Sequence, residues 1–142
     1  MKPKQLEVEC HLDDRGFLYQ IYGNYEGEFP ELKRVYVVGN FSKGTIRGFH
    51  KHNEEWKCYF VISGSAKFVV IDENGSISTY ILSPKRPCLL IIPPGYFHGW
   101  VSLEEDTILI GMSNKSLEQS INDDVRIDPF TFGRDLWEVK PR

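Results

Sequence analysis

Short strand-like runs separated by turn residues recur along the whole chain, and this spacing restricts it to an all-β architecture. The runs cover residues 6–10, 17–22, 32–38, 45–50, 56–62, 66–71, 77–82, 88–92, 99–101 and 107–112. They are rich in Val, Ile, Tyr and Phe, side chains that suit a pleated, half-buried surface. Between them lie Asp14-Arg15-Gly16, Ser42-Lys43-Gly44, Ser63-Gly64-Ser65, Glu73-Asn74-Gly75 and Pro94-Gly95, the residue types that turn a chain sharply. About ten short strands punctuated in this way indicate an antiparallel sandwich or jelly-roll barrel. Helical periodicity is confined to residues 116–122, and the tail from Asp123 reads as short and irregular. A length of 142 residues fits one domain spanning 1–142.

Composition excludes several functions. The hydrophobic fraction is 41% and the charged fraction 26%, values of a globular protein. Net charge is −3, with the 17 basic residues scattered rather than striped, so no nucleic acid is expected as partner. A single nucleotide remains possible, because it needs only one or two well-placed cations. No apolar run reaches membrane-spanning length, and Met1-Lys2-Pro3-Lys4 leads into a strand rather than a signal core. No membrane association and a cytoplasmic location are the expectations. Cys10, Cys58 and Cys88 have no metal-ligand spacing and read as small buried hydrophobes.

Alternation along residues 56–62 gives two faces. If Lys57 points inward, Tyr59 and Val61 share its side, and Cys58, Phe60 and Ile62 take the other. A strand apolar on both sides must be covered on both. The expected outer cover is the sheet of a partner, hence a homodimer.

The chemistry concentrates in Arg47-Gly48-Phe49-His50-Lys51-His52 and in Pro93-Pro94-Gly95-Tyr96-Phe97-His98-Gly99-Trp100. Histidines two apart on a strand face the same way, and a third can return to that face after a Pro-Gly turn. Three imidazoles, Lys57 and Arg47 would then converge. Arg47 has the opposite parity to His50, so both reach one cavity only if the strand twists or bulges.

His-x-His followed by Pro-x-Gly-x-x-His on a jelly roll resembles the cupin pattern. Within cupins the chain resembles the dTDP-4-dehydrorhamnose 3,5-epimerase family. The matching segments are Asp13-Asp14-Arg15-Gly16, residues 40–50 from Asn40-Phe41-Ser42 to Arg47-Gly48-Phe49-His50, residues 92–100, and Asp128-Pro129 through Gly133 to Trp137. The resemblance implies a cupin jelly-roll barrel that epimerises carbon 3, carbon 5 or both of a nucleotide-linked 4-keto-6-deoxy sugar. Its setting would be deoxysugar and polysaccharide (O-antigen) biosynthesis. It implies no cofactor and no metal.

By this resemblance His50 is the base, Lys57 faces the enolate oxygen, and His52 and His98 complete the catalytic set. Arg47 binds the diphosphate, Arg15 and Gln20 grip the nucleotide base from a neighbouring subunit, and Asn40 belongs to the substrate-binding motif. Two family features are displaced. The proton-donating tyrosine falls at or near Ile110, and the aspartate that partners the histidine falls beyond Arg142. Tyr36, Tyr59, Tyr96 or a water is left as the acid, and a single epimerisation is favoured over a double one.

Three other readings stay open. Residues 47–52 and 124–128 also resemble the short sugar 3,4-ketoisomerases. A metal cupin would add a glutamate after His-x-His, but Glu54 and Glu55 come early and Lys57 stands in the glutamate's place. An ammonium about 4 Å from a dication costs about 8 kcal/mol at an effective dielectric of 20. The third is a non-catalytic sugar-binding module.

Overall fold

In a computed structural model, described here for residues 1–22 and 27–142, the strands form two five-stranded antiparallel sheets. In chain order they are β1 (Lys4–Glu7), β2 (Cys10–Asp13), β3 (Gly16–Tyr19), β4 (Arg34–Asn40), β5 (Ile46–Lys51), β6 (Lys57–Ser63), β7 (Ala66–Ile71), β8 (Ile77–Leu82), β9 (Cys88–Ile92), β10 (Phe97–Ser102), β11 (Thr107–Ser113) and β12 (Val125–Arg126), with helix α1 (Leu117–Ile121) before the last strand. One sheet has the order β1-β9-β6-β11-β4 and the other β12-β5-β10-β7-β8, while β2 and β3 make a separate hairpin. This is the expected all-β jelly roll. Each sheet ends in an edge strand, so the expected barrel is two facing sheets rather than a closed cylinder.

The space between the sheets is filled by Tyr59, Val61, Leu90 and Leu109 from the first and Phe68, Val70, Leu82 and Trp100 from the second. Burying one such aliphatic or aromatic side chain is worth about 1.5–3 kcal/mol. As the alternation requires, Cys58 and Phe60 point the other way. They do not meet a partner sheet: Val8 and Phe29 of the same chain cover them, together with Leu89, Ile91 and Met112. Ile62, expected on the same face, stays 43% exposed, but Cys58 and Phe60 need no partner sheet for their cover. That cover comes from residues far away in sequence, which periodicity does not reveal. The outer face of the second sheet is closed by Trp137, which packs on Phe49, Val69 and Val101.

Two further expectations change. The run at residues 6–10 divides into β1 and β2: the Val8 amide still reaches the Pro87 carbonyl at 2.9 Å, but proline has no amide to return and the pairing with β9 ends there. The tail is not irregular throughout, since Val125 and Arg126 pair with Lys51 and His50. A two-residue strand is too short to show a period. Helix α1 forms where expected, with Ser116 and Gln119 in a reciprocal capping box. Cys58 and Cys88 are buried, but Cys10 is exposed, and all three are free. Among the described residues no helix is long and apolar enough to cross a membrane.

Candidate active site

The parity problem at Arg47 is solved by a bulge. His50 on β5 lies opposite His98 on β10, and Arg47 lies opposite Trp100. Three steps on β5 thus match two on β10, which turns Arg47 to the side of His50. Gly48 occupies the bulge with φ +130°, where a β-carbon would stand 2.6 Å from the Gly99 α-carbon. Only glycine combines that backbone angle with so close an approach.

The three histidines form one cluster. Ring centroids are 4.6 Å apart for His50–His98, 5.3 Å for His50–His52 and 5.8 Å for His52–His98. His98 Nδ1 donates to the Tyr96 carbonyl at 3.1 Å, which leaves Nε2 to accept from the Tyr59 hydroxyl at 3.2 Å. His52 Nδ1 bonds to the Asp123 carbonyl, and its Nε2 is buried without a hydrogen-bond partner. These partners assign the tautomers. Burial, reinforced by the neighbouring His52 and Lys57, lowers His50 to about 4. Burial likewise holds His98 well below the ordinary imidazole range, with His50 and His52 adding to it. Both rings are neutral at pH 7, so His50 offers a lone pair. Desolvation is what separates this imidazole from a free one.

Lys57 sits beside this cluster, its Nζ 3.1 Å from Glu55 Oε1 and donating to the Tyr36 hydroxyl at 3.0 Å. Glu55 also accepts from Ser113 Oγ at 2.5 Å and Ser120 Oγ at 2.7 Å. Burial pushes the Glu55 carboxyl up, but the Ser113 hydrogen bond, the Lys57 charge and the Ser120 hydrogen bond outweigh it and leave the group below its ordinary value. Burial drives the Tyr59 phenol well above its usual range, and neighbouring Tyr36 adds to the shift.

A cleft of two lobes opens beside these side chains. One, of about 330 Å³, is lined by Arg47, Tyr59 and Trp100, the other, of about 480 Å³, by His52, Lys57 and Asp124. Tyr36, His50 and Arg126 border both lobes.

The structure thus brings together His50, His52, His98, Lys57, Arg47, Tyr36 and Tyr59. Asn40 is buried behind them: its side-chain oxygen accepts from Arg47 Nε at 2.7 Å, and its amide donates to the Thr45 carbonyl and Ser102 Oγ. It holds Arg47 in place. Arg15 lies on the exposed turn of the β2–β3 hairpin, paired with Asp13 at 2.5 Å, and Gln20 is exposed just after β3; neither lines the cleft of its own chain. Tyr96 is removed as an acid, because its hydroxyl donates to the Met1 carbonyl and lines a different cavity.

Sequence reasoning missed Glu55, Asp123 and Asp124. The Asp123 carboxylate accepts from the backbone amides of Asn53, Glu54 and Glu55 at 2.7, 2.8 and 3.0 Å, and this turn folds Glu55 inward. Asp124 raises the pKa of His50, partly offsetting burial. One of its oxygens takes Arg126 Nε at 2.6 Å, and the other is buried and unpartnered. An acidic neighbour for His50 therefore comes from the tail. The ligand atoms of His50, His52 and His98 lie within 4.8 Å of one another, near enough to share an ion, whereas Glu55 is committed to Lys57 and two serines.

Facing sheets with an inward histidine cluster beside a lysine–tyrosine pair define a cupin-type isomerase. Residues 3–136 match the dTDP-4-dehydrorhamnose 3,5-epimerase family, and the chain belongs to that family, whose members are isomerases of nucleotide sugars. It is 30% identical over 109 residues to the spore coat polysaccharide biosynthesis protein SpsL of Bacillus subtilis, covering 70% of each chain. It is 27% identical over 115 residues to dTDP-4-dehydrorhamnose 3,5-epimerase of Methanothermobacter thermautotrophicus, covering 73% of this chain but only 62% of that protein. Among solved structures, dTDP-4-dehydrorhamnose 3,5-epimerase from Bacillus anthracis, with TDP and pyrophosphate bound, superposes with a TM-score of 0.79 at 27% identity, covering 88% of this chain and 78% of that one.

Proposed function

We propose that this protein epimerises carbon 3, carbon 5 or both of a dTDP-linked 4-keto-6-deoxy sugar, for polysaccharide synthesis. The observation that carries the proposal is the Tyr36 hydroxyl held 3.0 Å from Lys57 Nζ on the cleft that His50 also lines. A ketone at carbon 4 acidifies the hydrogens at carbons 3 and 5. Neutral His50 removes one of them, the Lys57 ammonium stabilises the oxygen on which charge develops, and Tyr36 returns a proton to the opposite face. Tyr36 accepts from Lys57 and lines both lobes of the cleft, with the Tyr59 hydroxyl as a hydrogen-bonding neighbour. Tyr59 is the poorer acid, since its proton goes to His98. Arg47, steadied by Asn40, takes the diphosphate. The proposed reaction uses no metal or cofactor, so activity should be retained after chelation; loss of activity on removing about one metal per chain would overturn it.

The proposal includes a homodimer. Its support is the apolar surface of the β2–β3 hairpin, where Leu12 is 78% and Phe17 68% exposed, and of edge strand β4, where Val35 is 57% and Val37 67% exposed. In the dimer the hairpin carries Arg15 and Gln20 to the neighbouring cleft; a fully active monomer in sedimentation refutes this part. Three unpaired cysteines fit the reducing cytoplasm.

A second reading, 3,4-ketoisomerisation, is favoured by β12, which sets Asp124 and Arg126 against His50. Incubation with dTDP-4-keto-6-deoxyglucose in deuterated water, followed by NMR, separates them. Deuterium at carbon 3 or 5 with the carbonyl still at carbon 4 supports epimerisation. Carbonyl migration to carbon 3 supports the second reading, and no exchange at all overturns both.

A further inference from the structure

We infer that Glu55 is a positioning residue of this site, anchoring the Lys57 ammonium against Tyr36 and preserving its charge. The inference rests on the epimerase reading above.

The Glu55 side chain is 0% exposed, and a carboxylate in such a place is costly unless every lone pair is engaged. Here both oxygens are. Oε1 takes Ser113 from β11, Lys57 from β6 and, at 3.3 Å, the Arg34 guanidinium from β4. Oε2 takes Ser120 from α1 and lies 3.2 Å from His52 Nδ1. An exposed ion pair would let both partners swing. Two hydroxyls on different elements fix this carboxylate before Lys57 is considered, so Lys57 meets an immobile counter-charge. Tyr36, two strands away on β4, accepts from Lys57 and places its ring 4.9 Å from the ammonium, but it carries no counter-charge. His50 and His98 are each pushed toward their neutral forms by Lys57, and Arg34 shares the Glu55 carboxylate with it. Asp124 faces the same lobe, but its contact is with Arg126. Glu55 is the carboxylate in contact with Lys57 among the described residues.

Glu55→Gln keeps size and hydrogen bonding but removes the charge. The expected result is a fall in kcat of about 10²-fold, the scale of a small misplacement of a reacting group, with KM changed only a few-fold. The basic limb of the kcat profile moves to lower pH. A structural role alone would lower thermal stability without moving that limb. Ser113→Ala, which weakens the anchor but leaves the charge, should leave the limb in place. In parallel, NMR follows the Lys57 ε-carbon through titration without substrate. It should lose its proton at lower pH in Glu55→Gln than in the parent, the effect of losing an adjacent opposite charge. Identical titration in the two proteins overturns the inference. A parent inactive on all 4-keto nucleotide sugars overturns the epimerase reading instead, while the titration still decides Glu55. If Glu55→Gln does not fold, Ser113→Ala/Ser120→Ala serves: reduced kcat with the basic limb unmoved supports the anchor, and parent-like kcat overturns it.

Discussion

Tyr36 lies across Gly111 of the neighbouring strand: a β-carbon at 111 would stand 2.3 Å from the tyrosine Cζ and 2.6 Å from its hydroxyl oxygen. The family's proton-donating tyrosine was expected from this stretch of β11, near Ile110. The strand instead carries a glycine at the point where it pairs with both Tyr36 and Tyr59, and a ring from β4 fills the space. In the proposed reaction the acid thus comes from β4 rather than β11.

Tyr36→Phe therefore separates the two halves of the reaction. Exchange of the abstracted proton with deuterated solvent should persist, while net inversion falls by about 10²–10⁴-fold, the usual worth of a positioned acid. Gly111→Ala, which displaces the ring, should act in the same direction. Inversion within a few-fold of the parent in Tyr36→Phe would assign the acid elsewhere.

Lys57→Met should lower kcat by about 10²–10³-fold and affect KM much less. An interaction that strengthens as negative charge develops is lost from turnover rather than from binding. A variant with parent-like kcat at saturating substrate would reduce Lys57 to a packing residue.

The histidines also set a pH dependence of stability. His50 titrates at 6.5 as a free side chain but at about 4 in the fold, so between those values the unfolded chain binds a proton that the native one does not. Its contribution is full above about pH 6.5 and is lost as pH falls toward 4, about 3 kcal/mol for a shift of this size. His98 acts in the same direction. Glu55 and Asp123, both lowered, lose their contributions only below their ordinary values near 4.5 and 3.8, so the upper part of the window isolates the histidines. Urea midpoints that stay flat from pH 6.5 to 5 would contradict the burial of neutral imidazoles.

Much of this was legible in the sequence because it is local. Period-two alternation places Lys57, Tyr59 and Val61 on one side of β6, and the spacing of His50 and His52 puts two imidazoles on one face. The parity of Arg47 demanded a bulge, and one forms at Gly48. What escaped is long-range. Glu54 and Glu55 look alike as a charged pair in a loop, and only Asp123, some seventy residues on, draws three successive amides into the turn that buries one of them. The cover of β6 by Val8 and Phe29 depends on the path of the N-terminal segment. A two-residue strand such as β12 carries no periodic signal, so Asp124 could not be seen beside His50.

The central claim is that His50 takes the proton. Its most direct test is His50→Asn incubated with dTDP-4-keto-6-deoxyglucose in deuterated water, with deuterium at carbons 3 and 5 followed by NMR and thymidine diphosphate binding followed by calorimetry. The account predicts that exchange is abolished while nucleotide binding stays within a few-fold of the parent. Near-normal deuterium incorporation in His50→Asn would contradict it.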